Sequence, residues 1–124
     1  MLHSASSARR LEVRGNLIRL VSGPRFVMKG VVVYALPFYY VDHRVDRNLE
    51  TVTNQAWRER ARLFAAIRAS GANTVRIPLS ASVYDDNRYF PGGSAAYLSR
   101  LRGLVQTATA DRLYVVLCWW DSLS

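Results

Sequence analysis

The stretch that decides the fold is Asn73-Thr-Val-Arg-Ile77, a short β-branched run that lies between two helical patterns. The first pattern predicts a helix over residues 55–70, with Gly71 in the position of a left-handed C-terminal cap. Pro78 is expected to end the strand, because proline cannot donate a hydrogen bond to a β-ladder. The second pattern predicts a helix over residues 94–110.

Two similar apolar runs lie on either side of this unit. Lys29–Tyr34 contains three consecutive valines, and Leu113–Leu117 reads LYVVL. Continuous β-branched runs are typical of strands that are covered on both faces, so we expect two further buried strands. Strands that alternate with helices predict a parallel α/β sheet. Ahead of them, residues 11–28 predict a small hairpin with a turn at Gly15-Asn16, and residues 1–10 read as a solvated leader.

The helices carry apolar stripes at helical spacing. Thr53 or Asn54 is expected to cap the first helix and Ser94 the second. The first stripe comprises Trp57, Ala61, Phe64 and Ala65, and the second comprises Tyr97, Leu101, Leu104, Val105 and Ala108. The loops 35–53 and 79–93 follow strands and are rich in aromatic and acidic residues. Because such loops build the sites of α/β proteins, we expect the functional site at the carboxyl ends of the strands.

Composition narrows the possible functions. The chain has 17 Lys and Arg against nine Asp and Glu, a net charge of +8, and Lys29 is its one lysine. The arginines are dispersed along the sequence, which favours a solvated surface over a nucleic-acid patch. The single cysteine, Cys118, rules out an internal disulfide and a multi-cysteine zinc site, and His3 and His43 lack metal-ligand spacing. We therefore expect no metal and no cofactor, and no glycine-rich nucleotide motif follows a strand.

The sequence shows neither a membrane-spanning stretch nor a signal peptide. The longest apolar run, residues 31–41, is interrupted by Pro37 and is shorter than the roughly 20 residues of a membrane helix. No signal peptide is visible after Met1, so the sequence predicts no membrane association and leaves the localisation open.

Several phrases together resemble glycoside hydrolase family 5, the cellulase-like members of clan A. They are GANTVRIPL at 71–79, Tyr84-Asp85, Tyr89-Phe-Pro-Gly92, Tyr97-Leu98, Leu101, and LYVVL at 113–117 followed by Trp119, with MKGVVVY at 28–34 resembling the first barrel strand. The resemblance covers roughly residues 15–123 and implies a (β/α)8 TIM barrel whose members cleave β-glycosidic bonds with retention and are often secreted. Such a barrel needs about 250 residues, so residues 11–124 are expected to form an N-terminal fragment of it.

The resemblance also implies where the chemistry lies. The family's two catalytic glutamates follow strands four and seven, and retention needs both carboxyl groups. Glu12, Glu50 and Glu59 match neither motif, so we expect no catalytic residue in this chain and no activity from it alone. The implied substrate is a β-linked poly- or oligosaccharide, and the implied missing partner is the rest of the barrel.

Four residues are the candidate substrate-site residues. Arg76 occupies the position where the family keeps an arginine beside the nucleophile, and the alternative is an arginine paired with Asp85. Trp119 and Trp120 follow strand three, where Trp120 replaces the family's histidine. Adjacent strand residues point to opposite sides, so at most one tryptophan is expected to face the site. Tyr34 ends strand one and is expected either to line a sugar subsite or to pack a loop.

Other interpretations remain open. The first is a small basic α/β module that binds nucleic acid or a protein partner, which a cationic cluster on one face would support. The second is a self-contained α/β interaction domain, which would need covered sheet edges. Cys118 is expected to be a buried small apolar residue.

Overall fold

The computed structural model describes residues 10–21, 23–36, 40–41, 44–45, 47–81, 84 and 92–119. They form a mixed α/β structure, as the sequence predicts. The strands are β1 Leu11–Arg14, β2 Leu17–Leu20, β3 Gly30–Val32, β4 Tyr40–Val41, β5 Arg44–Val45, β6 Thr74–Leu79 and β7 Tyr114–Trp119; the helices are α1 Arg47–Arg58, α2 Arg60–Ala69 and α3 Gly93–Ala110. The predicted leader, residues 1–10, lies outside the described residues except for Arg10.

The central sheet has three parallel strands in the order β3-β6-β7. Each pair of neighbouring strands is joined through helices, so the predicted succession of strand, helix, strand, helix and strand is confirmed. Within the described residues the sheet is open and does not close into a barrel. The neighbouring strands follow one another in chain order, the arrangement that a barrel and one half of an open α/β sheet have in common.

The helices cover one face of this sheet. Val75 and Ile77 point into that side and are fully buried. They share a core with Phe64 of α2 and with Leu104 of α3, which are also inaccessible to solvent. Apolar side chains at alternate positions of β6 therefore meet apolar stripes from two helices, and this burial is the main source of stability for the layer.

Two strands are less buried than the sequence predicts. Val31 and Val32 are both 41% exposed, and no residue of β7 is fully buried, since Leu117 and Trp119 are exposed and the other four are half-buried. The prediction of strands covered on both faces is therefore wrong for β3 and β7. A continuous apolar run indicates a strand that can be buried, whereas its actual burial depends on which layers pack against it.

Pro78 lies inside β6, so the prediction that it ends the strand is wrong. The main chain of Arg76 accepts from the Val33 amide, while Asn73 accepts from the amide of Tyr114. Even-numbered residues of β6 thus direct their main-chain groups toward β3, and odd-numbered residues direct theirs toward β7. At Pro78 the strand β3 has already ended, so the missing amide hydrogen costs the ladder nothing.

The first helical region begins earlier than the sequence predicts. Helix α1 starts at Arg47, and α2 follows after a break at Glu59. Thr53 is therefore inside α1, where its hydroxyl donates to the carbonyl of Glu50 at 3.0 Å and no cap is formed. The predicted Asn54 cap is likewise wrong, because the Asn54 side chain accepts from Arg100 of α3 at 3.0 Å.

The apolar stripes are partly confirmed. In α2, Phe64 and Ile67 are buried while Ala61 and Ala65 are exposed, so the buried face is rotated from the predicted one. In α3 the predicted stripe is confirmed at Tyr97, Leu104 and Ala108. Ser94 lies within α3, and the residue at its N-terminal cap is Gly92.

The predicted left-handed cap of the first helical region is confirmed. Gly71 has a φ of +97°, which only glycine adopts without strain. The chain can therefore turn directly from α2 into β6.

Asn73 fastens the amino ends of the strands. Its side-chain carbonyl accepts from the Lys29 amide at 2.9 Å, and its side-chain amide donates to the Val27 carbonyl at 2.9 Å. The Phe26 ring packs edge-on against Tyr114 of β7, with centroids 4.8 Å apart. The predicted N-terminal hairpin, formed by β1 and β2, is therefore followed by a segment that crosses the amino end of the sheet.

Candidate functional site

The face of the sheet opposite the helices carries the strongest site candidate. Arg76 lies in register with Val32 of β3 and with Val116 of β7, so these three side chains form one row across the sheet. Because the neighbours Val75 and Ile77 are buried under the helices, alternation places the row on the other face. Arg76 and Val32 are exposed there.

Arg76 is held by a neighbour on β7. Its Nε donates to the Sγ of Cys118 at 3.2 Å. Cys118 lies two residues beyond the register partner of Arg76, so the contact directs the guanidinium toward the carboxyl end of the strands. A guanidinium presents its donors in a planar fork, a geometry that matches an oxyanion or a hydroxyl group.

Cys118 is thus a site residue whose role sequence reasoning missed. It is half-buried, and its thiol accepts from an arginine on the neighbouring strand. The expectation of a buried apolar residue is wrong on both counts. Cys118 lies two residues after Val116, so the two side chains share a face of β7. That this face is the one that carries Arg76 becomes clear only from the register between β6 and β7.

Tyr34 follows the end of β3 on the same side as Arg76. It comes two residues after Val32, and it is exposed while its neighbours Val33 and Ala35 are buried. The structure therefore brings Arg76 and Tyr34 to one face, near the carboxyl ends of adjacent strands. A tyrosine ring and a guanidinium on one face offer an apolar surface and polar donors, the combination that a sugar ring can use.

The structure places Trp119 on the other face. Its ring lies 6.4 Å from that of Tyr84, and Tyr84 in turn contacts Tyr97 of α3 at 5.9 Å. Trp119 is therefore on the helix side of β7, away from Arg76, and 59% of it is exposed. Trp120 lies outside the described residues, as do Asp85 and Tyr89.

The described acidic residues lie apart from Arg76. Glu12 pairs with Arg14 in the hairpin at 2.9 Å, Glu50 is in α1, and Glu59 joins α1 to α2 on the helix side. Asp111 caps the end of α3, before the amino end of β7. Among the residues that the structure describes, no cluster of three His, Cys, Asp or Glu side chains could hold a metal ion. The candidate site can thus bind and orient an anion or a hydroxyl group through Arg76.

A second polar cluster fastens the helices to one another. The Arg60 guanidinium stacks on the Trp57 ring at 3.7 Å, and the Arg100 guanidinium lies 5.3 Å from the same ring. A Cβ on Gly103 would stand 2.7 Å from this ring, so glycine is what lets α3 approach α1. Cation–π contacts of this kind stabilise helix packing, and we assign the cluster a structural role.

Comparison with protein-family models gives no match for this chain, and searches of curated proteins and of solved structures give none either. The described helices include none long and apolar enough to cross a membrane.

Proposed function

We propose that this chain forms the first three strands of a retaining glycoside hydrolase barrel similar to family 5, and that its Arg76 face binds a β-linked carbohydrate. The observation that carries the proposal is the position of Arg76, exposed on the face opposite the helices and in register between β3 and β7. In a (β/α)8 barrel, the face opposite the helices is the barrel interior, and the site lies at the carboxyl ends of the strands.

The uncovered parts of the sheet support the barrel. The Tyr114 amide donates to the carbonyl of Asn73, which directly precedes β6, so the odd-numbered residues of β7 direct their main-chain groups away from β6. On the helix side of that edge, Leu117 and Trp119 are 46% and 59% exposed. A further strand and helix, added by the same repeat, would pair with the edge and cover these two side chains.

Arg76 would orient a carboxylate in such an enzyme. Retaining hydrolysis uses a carboxylate nucleophile about 5–5.5 Å from a second carboxyl group that acts as acid and base. An arginine cannot perform either step at neutral pH, because its guanidinium stays protonated. Its contribution would be to keep the nucleophile ionised and to fix its direction through charge-assisted hydrogen bonds.

The proposal is tested on the chain itself by ligand-observed NMR with cellohexaose, xylohexaose and mannohexaose. We expect weak binding of at least one of these β-linked hexasaccharides and its loss in Arg76→Gln. Arg62→Gln is the matched control, because it removes one exposed charge from α2 on the other side of the sheet. Equal loss in both variants, or no binding of any hexasaccharide at millimolar concentration, would contradict the proposal.

Hydrolysis gives a second test. We expect the chain alone to leave aryl β-glucosides and carboxymethylcellulose intact, since the three glutamates lie away from Arg76. Turnover by the purified chain that disappears in Arg76→Ala would show that the carboxylate pair is supplied within these residues.

A further inference from the structure

Three arginines of residues 14–25 lie on one face of the N-terminal hairpin and the segment that follows it. Arg19 of β2 lies directly opposite Glu12 of β1, and Arg14 lies two residues beyond Glu12 on the same face. A further antiparallel bridge places Arg25 opposite Arg19. We call the surface formed by Glu12, Arg14, Arg19 and Arg25 the basic hairpin face.

The charge on this face is unbalanced. The single carboxylate, Glu12, is bonded to the Nε of Arg14 at 2.9 Å. Arg19 and Arg25 have no hydrogen-bond or ion-pair partner for their side chains among the described residues. Like charges directly opposite one another on neighbouring strands destabilise a sheet. Arg19 and Arg25 are adjacent, and the carboxylate opposite Arg19, Glu12, is already bonded to Arg14. The two guanidinium groups therefore form a surface that gains from binding an anion.

The chemistry of the arginines restricts the ligand. Guanidinium groups recognise planar or tetrahedral oxyanions in bidentate fashion, and strands hold them about 5 Å apart. A repeating anion can thus occupy neighbouring arginines in succession. Nucleic-acid binding typically uses about 6–10 phosphate contacts, and three arginines supply fewer than that.

The hairpin also lies at a definite place relative to Arg76. The segment that carries Arg25 continues to Phe26, which packs on Tyr114 at the amino end of β7. The Arg76 guanidinium is directed toward the opposite, carboxyl end. A ligand on the basic hairpin face would consequently leave the Arg76 face open.

We propose that the basic hairpin face binds an acidic polysaccharide through its carboxylate groups. Anion binding follows from the arginines alone, and the choice of a polysaccharide rests on the proposed function. Carboxylates repeated along the polymer would pair with Arg19 and Arg25, and this contact would hold the protein on the polymer independently of the Arg76 face.

The test measures binding of the chain to polygalacturonate by affinity electrophoresis and isothermal titration. We expect Arg19→Gln/Arg25→Gln to weaken binding by about tenfold or more. Arg58→Gln/Arg62→Gln is the matched control. It removes two exposed arginines from the helices, so its net charge equals that of the hairpin variant. The control is expected to change binding by less than about twofold, and Arg19→Lys/Arg25→Lys is expected to retain most of it, since the charge remains.

Each other outcome overturns the proposal. Equal weakening in the hairpin and helix variants would assign binding to net charge rather than to this face. Tighter binding of a 20-base-pair DNA duplex than of polygalacturonate at equal ionic strength, with the same sensitivity to the hairpin variants, would make the ligand a nucleic acid. Binding to polygalacturonate does not involve the Arg76 face. A negative result in this experiment therefore does not contradict the proposed function, and a negative result with the hexasaccharides does not contradict anion binding by the hairpin.

Discussion

Because the outer edge of β7 is unpaired among the described residues, we expect two copies of the chain to associate through it. The substitution Leu117→Lys tests this prediction. Leu117 lies on that edge and is 46% exposed. Its main-chain groups point away from β6, which leaves the edge open to another strand. Complete burial of a leucine contributes about 1.5–3 kcal/mol, so covering the exposed part is worth about 1 kcal/mol. Two copies in a symmetric pair gain about 2 kcal/mol, or about 30-fold in the dissociation constant.

Leu98→Lys is the matched control for this substitution. Leu98 lies on α3 and is 42% exposed, so the residue type, exposure and added charge nearly equal those of Leu117→Lys. Sedimentation velocity over a concentration series should show that Leu117→Lys weakens association by about 30-fold or more, because an edge lysine also opposes strand pairing. Leu98→Lys should change it by less than about threefold.

The reasoning fails if the two lysine variants behave alike, since association would then reflect general apolar exposure. It also fails if the wild-type chain is a monodisperse monomer whose amides in residues 113–117 resist hydrogen exchange. That result would show that three strands suffice and would revive the self-contained interaction domain.

Three further substitutions test the packing and the site. Gly103→Ala should destabilise the chain in urea unfolding, because overpacking against the Trp57 ring costs about 1–3 kcal/mol and exceeds the roughly 1 kcal/mol gained in helix propensity; in a Trp57→Leu background the same change should stabilise. Asn73→Ala should cost about 1.5–4.5 kcal/mol through three lost hydrogen bonds, to Lys29, Val27 and Thr74, seen as faster exchange of the Lys29 amide; unchanged exchange would contradict this. In a complete barrel carrying this segment, Arg76→Lys should lower kcat with little change in KM, because lysine lacks the planar fork; a kcat within about twofold of wild type would make Arg76 structural.

The order of the elements could be predicted because turns and caps depend on local chemistry. The turn at Gly15-Asn16 and the positive φ of Gly71 lie where the sequence predicts them. The start of α1 could not be predicted, because residues 47–54 are mostly polar and resemble a loop. In the structure that segment is bonded to α3, because the side chain of Asn54 accepts from Arg100. Tertiary contacts of this kind leave no mark in a local pattern.

The site was accessible to sequence reasoning only in part. Arg76 is a candidate because its phrase resembles a known family, and Tyr34 because it ends a strand; the structure places both on one face. The contact between Arg76 and Cys118 joins residues 42 positions apart and depends on the register of two strands. The basic hairpin face also depends on register, because Arg14, Arg19 and Arg25 are close in sequence but share a face only through the pairing of β1 with β2 and the bridge at Arg25.

The division of the sheet into two faces decides what these residues can contribute to catalysis. Helices α1 and α2 carry or flank Glu50 and Glu59 on one side, and the hairpin carries Glu12, which is already engaged by Arg14. Arg76 is directed to the other side, where Cys118 fixes its Nε. An acid and a nucleophile that act beside Arg76 must come from elements whose side chains reach that face. In a barrel, the carboxyl ends of the remaining strands do so, because all parallel strands deliver their loops to one rim. Under the proposed function, Arg76 would therefore act as a positioning residue for carboxylates that such elements bring to it.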